Sequence, residues 1–376
     1  MKPKNLLYLA GILVLLIVVT IIVKREPVKK LSEQVRFEQL AKEKISKPEN
    51  VKAVEIYTGA AGGEETDTVE ASGKKTEKVV LMKKKDKWNV PTRFNAPGDA
   101  KKISSFVDKL VGISGERRGS SEKVLPDFGL TEEDALHILL YTSAERKKAD
   151  FHLLVGKKEG YDNSFVRLKG DKDNVYVVDV NLKSEVGLWG DDPAKSPESS
   201  HWVDTTILDI PEKSIRKLYM TWPDKKCVFE KQTRKTDKED AEDSEETEWV
   251  PILGPENTEF LASDFKSLLG SLQPFKGSSV ADPAKFDEYG LAAPSYHCEI
   301  EKEDGSKTVL LASREAPDKP AYCYIKGNRD TIYEVKSWRF EKIFEQGGDL
   351  FRLKSGIRGK KDDIAKIEWI SGDQSV

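Results

Sequence analysis

From Leu6 to Val23 the chain runs without a charge, and beyond Arg25 the apolar positions alternate with polar ones or recur at helical spacing. An apolar run of that length rises about 27 Å as a helix, close to the roughly 30 Å hydrocarbon core of a bilayer. It predicts an N-terminal transmembrane helix within residues 1–25, followed over residues 26–50 by a stalk of helical character in which Leu31, Val35 and Leu40 form an apolar side. Lys2 and Lys4 also suit a signal peptide, but Thr20 to Lys24 offers no small-x-small cleavage triplet, so the run is read as an uncleaved signal anchor.

After the stalk the pattern of elements occurs twice. Val51 to Thr58 and Ile215 to Trp222 each read as a strand entered from a Pro-Glu turn, Pro48-Glu49 and Pro211-Glu212. A second apolar strand follows in each, Val79 to Met82 and Cys227 to Phe229, and then a tryptophan strand, Lys87 to Pro91 and Glu248 to Pro251. Next, Ile103, Phe106, Val107 and Leu110 fall at i, i+3, i+4 and i+7 behind an Asp99 cap. Phe265, Leu268, Leu269 and Leu272 repeat that spacing behind Thr258 or Asn257. One apolar stripe per helix implies one sheet face to cover.

Each helix is followed by an aromatic-Gly-Leu phrase, Phe128-Gly129-Leu130 and Tyr289-Gly290-Leu291, 41 residues from Trp88 to Gly129 and 41 from Trp249 to Gly290. Four strands come next: Ala135 to Tyr141, Phe151 to Val155, Phe165 to Leu168 and Val175 to Val180, against Tyr296 to Glu301, Thr308 to Leu311, Tyr322 to Ile325 and Thr331 to Val335. A short helix closes each set, near Leu182 to Leu188 and Ser337 to Glu345. The expected fold class is therefore α+β: a single transmembrane helix, then two tandem homologous, mostly antiparallel sheet-plus-helix domains over 51–210 and 211–376. Ile364 to Ile370 resembles the opening strand once more and is expected to complete the second sheet.

The two sets differ in their inserts. Gly59 to Glu77 is rich in Gly, Glu and Thr, Gln232 to Glu248 is almost entirely charged, and Gly190 to Ser200 is rich in Pro and Ser; all three are read as solvated loops or hairpin extensions. With 62 basic against 65 acidic residues the chain has a formal net charge of −3, which excludes an electrostatic nucleic-acid binder. Cys227, Cys298 and Cys323 lie far apart in strand-like text and read as small buried residues, a Cys298–Cys323 bridge being the alternative.

Candidate chemistry is sparse. The chain contains no phosphate-binding loop, nucleophile elbow, zinc-protease helix or Cys-x-x-Cys pair, and it implies no cofactor. His137, His152, His201 and His297 are scattered; His137 and His297 occupy matching strands, where strand-surface imidazoles are expected rather than ligands. Asp171, Asp173 and Asn174 read as a hairpin turn and Asp191-Asp192 as loop residues. Trp88, Trp249, Phe106 and Phe265 read as core markers.

With the tryptophan strand, the amphipathic helix, the two aromatic-Gly-Leu phrases and the closing strand pairs in order after one N-terminal span, the chain resembles the bacterial family called domain of unknown function 4340. The resemblance covers nearly all of Val51 to Leu353, and the long charged insert at Gln232 to Glu248 departs from it. It implies an envelope accessory of a gliding-motility-type ABC transporter, with no catalytic residues to carry over.

The expectation is a single-pass protein of the bacterial inner membrane, anchored through Leu6 to Val23, its bulk outside the cytoplasm. It acts there as a binding or scaffolding module with transporter permease or auxiliary subunits as partners. The alternative is an envelope hydrolase with its site between the two domains, which predicts clustered carboxylates or histidines from both.

Overall fold

Period-two alternation turns the charged stretches into strands as readily as the apolar ones, and antiparallel pairing dominates the result. The computed structural model describes residues 37–59, 78–119, 121–190, 195–235, 245–344, 350–353, 370–371 and 374–375. The chain divides into two compact units, unit one being Met1–Lys83 with Ser104–Glu198 and unit two Lys84–Ile103 with Ser199–Val376.

Unit one contains β1 (Phe37–Gln39), β2 (Ala53–Thr58) and β3 (Val79–Lys84). The chain then runs through β4 (Lys87–Val90) and β5 (Ala96–Pro97), which pair with each other in unit two. The helix α1 (Ala100–Val111), through which the division passes, leads to β6 (Ser114–Gly119), β7 (Leu136–Tyr141), β8 (Phe151–Glu159), β9 (Asn163–Leu168), β10 (Val175–Val178) and α2 (Leu182–Glu185). The strands of unit one lie in the order β1-β6-β10-β9-β8-β7-β2-β3. The pairings are antiparallel throughout this order.

Unit two continues with β11 (Thr206–Leu208), β12 (Ile215–Thr221), β13 (Lys226–Lys235), β14 (Glu245–Leu253), β15 (Thr258–Phe260), α3 (Ala262–Ser271), β16 (Phe275–Lys276) and β17 (Ser279–Ala281). Then come β18 (Tyr296–Lys302), β19 (Lys307–Arg314), β20 (Ala321–Ile325), β21 (Ile332–Val335), α4 (Ser337–Phe344) and β22 (Phe351–Leu353). Its large sheet has the order β14-β13-β12-β18-β19-β20-β21-β17. Seven strands of each unit therefore follow one connection rule, β3-β2-β7-β8-β9-β10-β6 in the first and β13-β12-β18-β19-β20-β21-β17 in the second. Short pairings accompany the large sheet, β11 with β16 and β15 with β22.

Burial explains why each helix forms where it does. Ile103, Phe106, Val107 and Leu110 of α1 are all buried, as are Phe265, Leu268 and Leu269 of α3 and Leu272 just beyond it. The Asp99 Oδ1 accepts the Lys102 amide at 3.0 Å and caps α1. In unit two, Phe265 sits 4.3 Å from the Phe229 ring centre and 5.3 Å from that of Trp249, tying α3 to the β13–β14 hairpin. All six residues of β7 are buried, so this strand is covered on both faces.

The expected fold class needs correction. The protein is mostly antiparallel sheet, and the α+β class led by a transmembrane helix is overturned because no helix among the described residues is long and apolar enough to cross a membrane. The longest described helix, α1, has 12 residues, about 18 Å of rise against the roughly 30 Å needed. The run from Leu6 to Val23 lies outside the described residues. In the stretch read as a stalk, β1 pairs with β6 and Leu40, Ala41 and Ile45 are buried. The cap expected at Thr258 or Asn257 is absent, because Thr258 pairs with Leu353 in the β15–β22 ladder; α3 starts instead behind Leu261, without a side-chain cap. The charged insert is partly strand, its ladder running out to Lys235 opposite Glu245. Residues 60–77, 191–194 and 354–369 lie outside the described residues, including Asp191-Asp192 and most of the late strand expected from Ile364.

The register shift between Val155 and Lys158 in β8 contains Gly156. A Cβ there would meet the Phe128 carbonyl oxygen at 2.1 Å and Leu130 at 3.0 Å. Gly156→Ala should lower unfolding free energy by about 1–3 kcal/mol, read as an earlier guanidinium midpoint. Gly270→Ala, on α3 with nothing within 4 Å of its added carbon, should be neutral or stabilising by up to about 1 kcal/mol.

Candidate functional site

Each unit places the same kind of turn over the sheet face opposite its amphipathic helix. In unit one a short 3-10 turn at Glu122–Val124 is capped by Ser121, and in unit two one at Pro283–Lys285 is capped by Asp282. Gly129 and Gly290 follow at φ +65° and +71°, a conformation open to glycine at no steric cost. The reversal buries Leu130 and Leu291, and Leu130 packs with Leu125, Ala135, Leu154 and Val175. It also carries the next few residues back over the strands: Glu132 in unit one and Pro294 in unit two each offer a carbonyl to a strand histidine.

The strand registers define one row of side chains in each unit. In unit one Tyr57 stands opposite His137, His137 opposite Leu154, and Leu154 opposite Arg167. In unit two the row is Thr221, His297, Leu311 and Tyr324. Lys169 and Lys326 lie one residue past β9 and β20, their amides donating to the carbonyls of His152 and Val309 respectively, both at 2.9 Å. His152 and Val309 are thus corresponding positions, as are Lys169 and Lys326.

In unit one this row is filled by its own polar groups. His137 is buried, stacks on Tyr57 at 4.7 Å between ring centres, and places Nε2 at 2.8 Å from the Glu132 carbonyl. That Nε2 must donate, so Nδ1 accepts, and the His152 Nε2–H at 2.9 Å donates to it. The Glu132 carboxylate accepts from Arg167 Nη2 at 2.9 Å and pairs closely with Lys169. Burial raises the Glu132 carboxyl, but the hydrogen bonds from Lys169 and Arg167 outweigh it and hold the group below its usual range. Burial also lowers His137, and it pushes His152 from 6.5 to about 4 with His137 and Lys169 acting in the same direction. Tyr57 is driven up to about 12 by burial and by the charges of Glu55 and Glu132.

In unit two the same row is open. Thr221, Pro294, His297, Glu299, Tyr324 and Lys326 are among the residues lining a groove of about 320 Å³, and Tyr324 and Lys326 also border a second hollow of about 480 Å³ reaching Arg329 and Asp330. His297 Nε2 lies 3.1 Å from the Pro294 carbonyl and donates to it, leaving Nδ1 as an acceptor. Glu299 Oε1 accepts from Lys307 Nζ at 2.7 Å. The Arg329 guanidinium lies 4.9 Å from the Phe286 ring centre, and Phe286 in turn meets Tyr324 edge-on at 5.1 Å. Lys326 Nζ has no hydrogen-bond or ion-pair partner among the described residues.

Of the two histidines expected as strand-surface imidazoles, His137 is buried and His297 is part-exposed on β18. His137 and His152 touch, His297 lines the groove, and His201 meets Trp202 edge-on at 5.1 Å between ring centres. Their contact follows from the β7–β8 register, which sets Leu139 opposite His152 and so puts His137 on the diagonal. Closure of that hairpin by Asp150, whose Oδ2 accepts the Thr142 amide at 2.7 Å, is the local signal from which the register was readable. Asp171 Oδ1 accepts the amides of Asp173 and Asn174 in a hairpin turn. The three thiols are free and buried, and burial pushes Cys298 up to about 12. Among the described residues no group of three or more His, Cys, Asp or Glu is placed to hold a metal ion.

The profile of the family described as "Domain of unknown function (DUF4340)" matches residues 88–294, more than half of the chain. No curated protein and no solved structure matches.

The depressed histidines make unit one acid-sensitive. The unfolded chain takes up the His152 proton near pH 6.5 and the folded chain only near 4, and His137 is lowered in the same direction, so stability is full above about 6.5 and falls as pH drops through that window. Denaturation of the parent and of His152→Val at pH 7.5, 5.5 and 4.5 should show the parent losing more stability on acidification than the variant.

Proposed function

The chain belongs to the DUF4340 family, and we propose that it is a non-enzymatic binding module whose recognition site is the unit-two groove. The observation that carries this reading is the contrast between the two rows. In unit one, Tyr57, His137, His152, Glu132 and Lys169 satisfy one another and fill the sheet face. In unit two the corresponding positions hold smaller or uncharged side chains, Thr221 for Tyr57 and Val309 for His152, and the face is hollow. A concave surface with a few convergent polar groups among aromatic and aliphatic side chains suits a ligand.

Binding is favoured over catalysis by how the polar groups are held. His297 is anchored through Nε2 to a main-chain carbonyl and Glu299 is engaged by Lys307. The nearby Cys298 thiol is buried with its pKa raised, the opposite of an activated nucleophile. As an accessory of an ABC-type transport complex, the module would present this groove to its ligand beside permease or auxiliary subunits; the family resemblance supports that partner class.

Native mass spectrometry of the full chain tests the reading through Thr221→Tyr, which restores unit one's aromatic over the histidine. The parent is expected to retain a small molecule that the variant lacks, and to co-purify with permease or auxiliary subunits. Turnover of chromogenic ester, phosphoester or glycoside substrates that His297→Ala abolishes would make the groove an active site and sink the binding reading.

A further inference from the structure

Unit one contains, inside its own chain, the group that unit two lacks. The Glu132 carboxylate sits against the His137 row, where Lys169 and Arg167 grip it. Lys169 has its counterpart in Lys326, with the same main-chain bond at the end of the strand, and His137 has its counterpart in His297, with the same Nε2 contact to a loop carbonyl. The acid has none. The loop of unit two brings Pro294 over the row, with Ala293 exposed just before it, and Lys326 lines the groove with no ion-pair partner among the described residues.

We propose that the unit-two groove takes a small ligand bearing one carboxylate or phosphate, which occupies beside Lys326 the place that Glu132 fills beside Lys169. This rests on the reading of the groove as a binding site and names its ligand class. Arg329 lines the adjoining hollow beside Asp330, so that hollow carries one charge of each sign and Lys326 is the cation the anion meets. The remaining charge in the groove sets the rest of the ligand. Lys307 is engaged by Glu299 at 2.7 Å and Glu301 at 3.5 Å, so its charge is already matched.

Two acceptors face the ligand's body. In unit one His137 Nδ1 accepts from His152, whereas Val309 at the corresponding position of unit two has nothing to donate, so His297 Nδ1 is open to a hydroxyl or amine. Glu299 engages Lys307 through Oε1, and a second anionic group next to it would be repelled. Tyr324 offers a flat apolar wall, braced edge-on by Phe286. The chemistry is that of a hydroxyl-bearing molecule with one anionic group and an apolar face, a description that hexuronates and sugar phosphates both satisfy.

Isothermal titration of the full chain at constant ionic strength with glucuronate, glucose 6-phosphate and neutral glucose provides the test. At least one anion should bind saturably, glucose at least tenfold more weakly, and Lys326→Gln should lower the anion's affinity tenfold or more, while Lys169→Gln leaves it unchanged. Saturable binding of neither anion, or equal affinity in Lys326→Gln, would overturn the anion assignment. Glucose binding as tightly as glucuronate, lost in Thr221→Tyr but kept in Lys326→Gln, would also overturn the anion assignment while leaving the groove a binding site. A Glu introduced by Ala293→Glu should compete with the anion from within the chain and weaken its binding in the same way.

Discussion

The outer face of each sheet depends on one three-residue device. A helix can cover only one side of a sheet, and β7 shows that both sides are nevertheless buried. The second cover is the aromatic-Gly-Leu turn. The aromatic residue packs on a strand aromatic, Phe128 tilted against Phe165 at 4.6 Å and Tyr289 stacked on Tyr322 at 4.0 Å between ring centres. Glycine then reverses the chain at positive φ, and leucine is driven into the sheet, Leu130 and Leu291 both being buried. Burying one such leucine contributes about 1.5–3 kcal/mol, and the stacked pair about 0.5–1.5 more. The Lys157 amide donates to the Phe128 carbonyl at 2.8 Å and locks the turn of unit one to β8. Any residue a few positions beyond the leucine is thereby delivered to a fixed point above the histidine row.

That delivery explains how two sheets of one connection rule acquire different chemistry. A polar pair flanks the row in both units, but its members exchange strands. In unit one Glu55 on β2 accepts from Tyr141 on β7 at 3.0 Å; in unit two Glu301 on β18 accepts from Tyr219 on β12 at 3.3 Å. Both are diagonal cross-strand pairs, which meet equally well whichever strand supplies the acid. Each carboxylate also meets cations, Glu55 with Lys78 at 3.0 Å and with Arg146, Glu301 with Arg216 and Lys307. The flank is therefore maintained while the centre of the row varies from a filled aromatic and imidazole stack to a hollow.

How far these features were readable in the sequence follows from the range of the interactions that set them. The helices α1 and α3 were legible because their apolar spacing is a property of neighbours in sequence, and the Asp99 cap lies three residues from Lys102, whose amide it accepts. The start of α3 was not, because Thr258–Phe260 is claimed by Phe351–Leu353, more than ninety residues away; a distant ladder outweighed a local capping preference. Gln232–Lys235, read as a solvated hairpin extension, does extend the β13–β14 hairpin, its pairing running out to Lys235 opposite Glu245. His137 and His152 carried no spacing signal, since ligand or contact spacing within one strand is even-numbered and short, whereas theirs depends on the β7–β8 register. The groove was invisible for a further reason: a hollow is made by what is missing, here bulk at Thr221 and Val309 and a carboxylate at the Glu132 position.

Opening the row costs the fold less than deleting any one of its polar members would. Removing a single partner from a buried hydrogen-bonded set leaves the other unsatisfied, at about 1–3 kcal/mol, whereas replacing both partners by apolar groups is close to neutral. Unit two differs from unit one in that second manner at the Glu132–Arg167 pair, both members of which are replaced. His152, which donates to His137, gives way to Val309; Glu132 and the Arg167 that grips it give way to the Ala293–Pro294 loop and Tyr324. What persists is His297, still bonded through Nε2, and Lys326, whose ammonium reaches solvent along the groove. An exposed lysine such as Lys326 keeps its hydration and so tolerates the loss of its carboxylate, while a buried arginine in the place of Arg167 would not. The exchange of Arg167 for Tyr324 is thus what allows the acid to be absent, and the lysine left behind is the one cation of the pair that can wait in water for an anion from outside the chain.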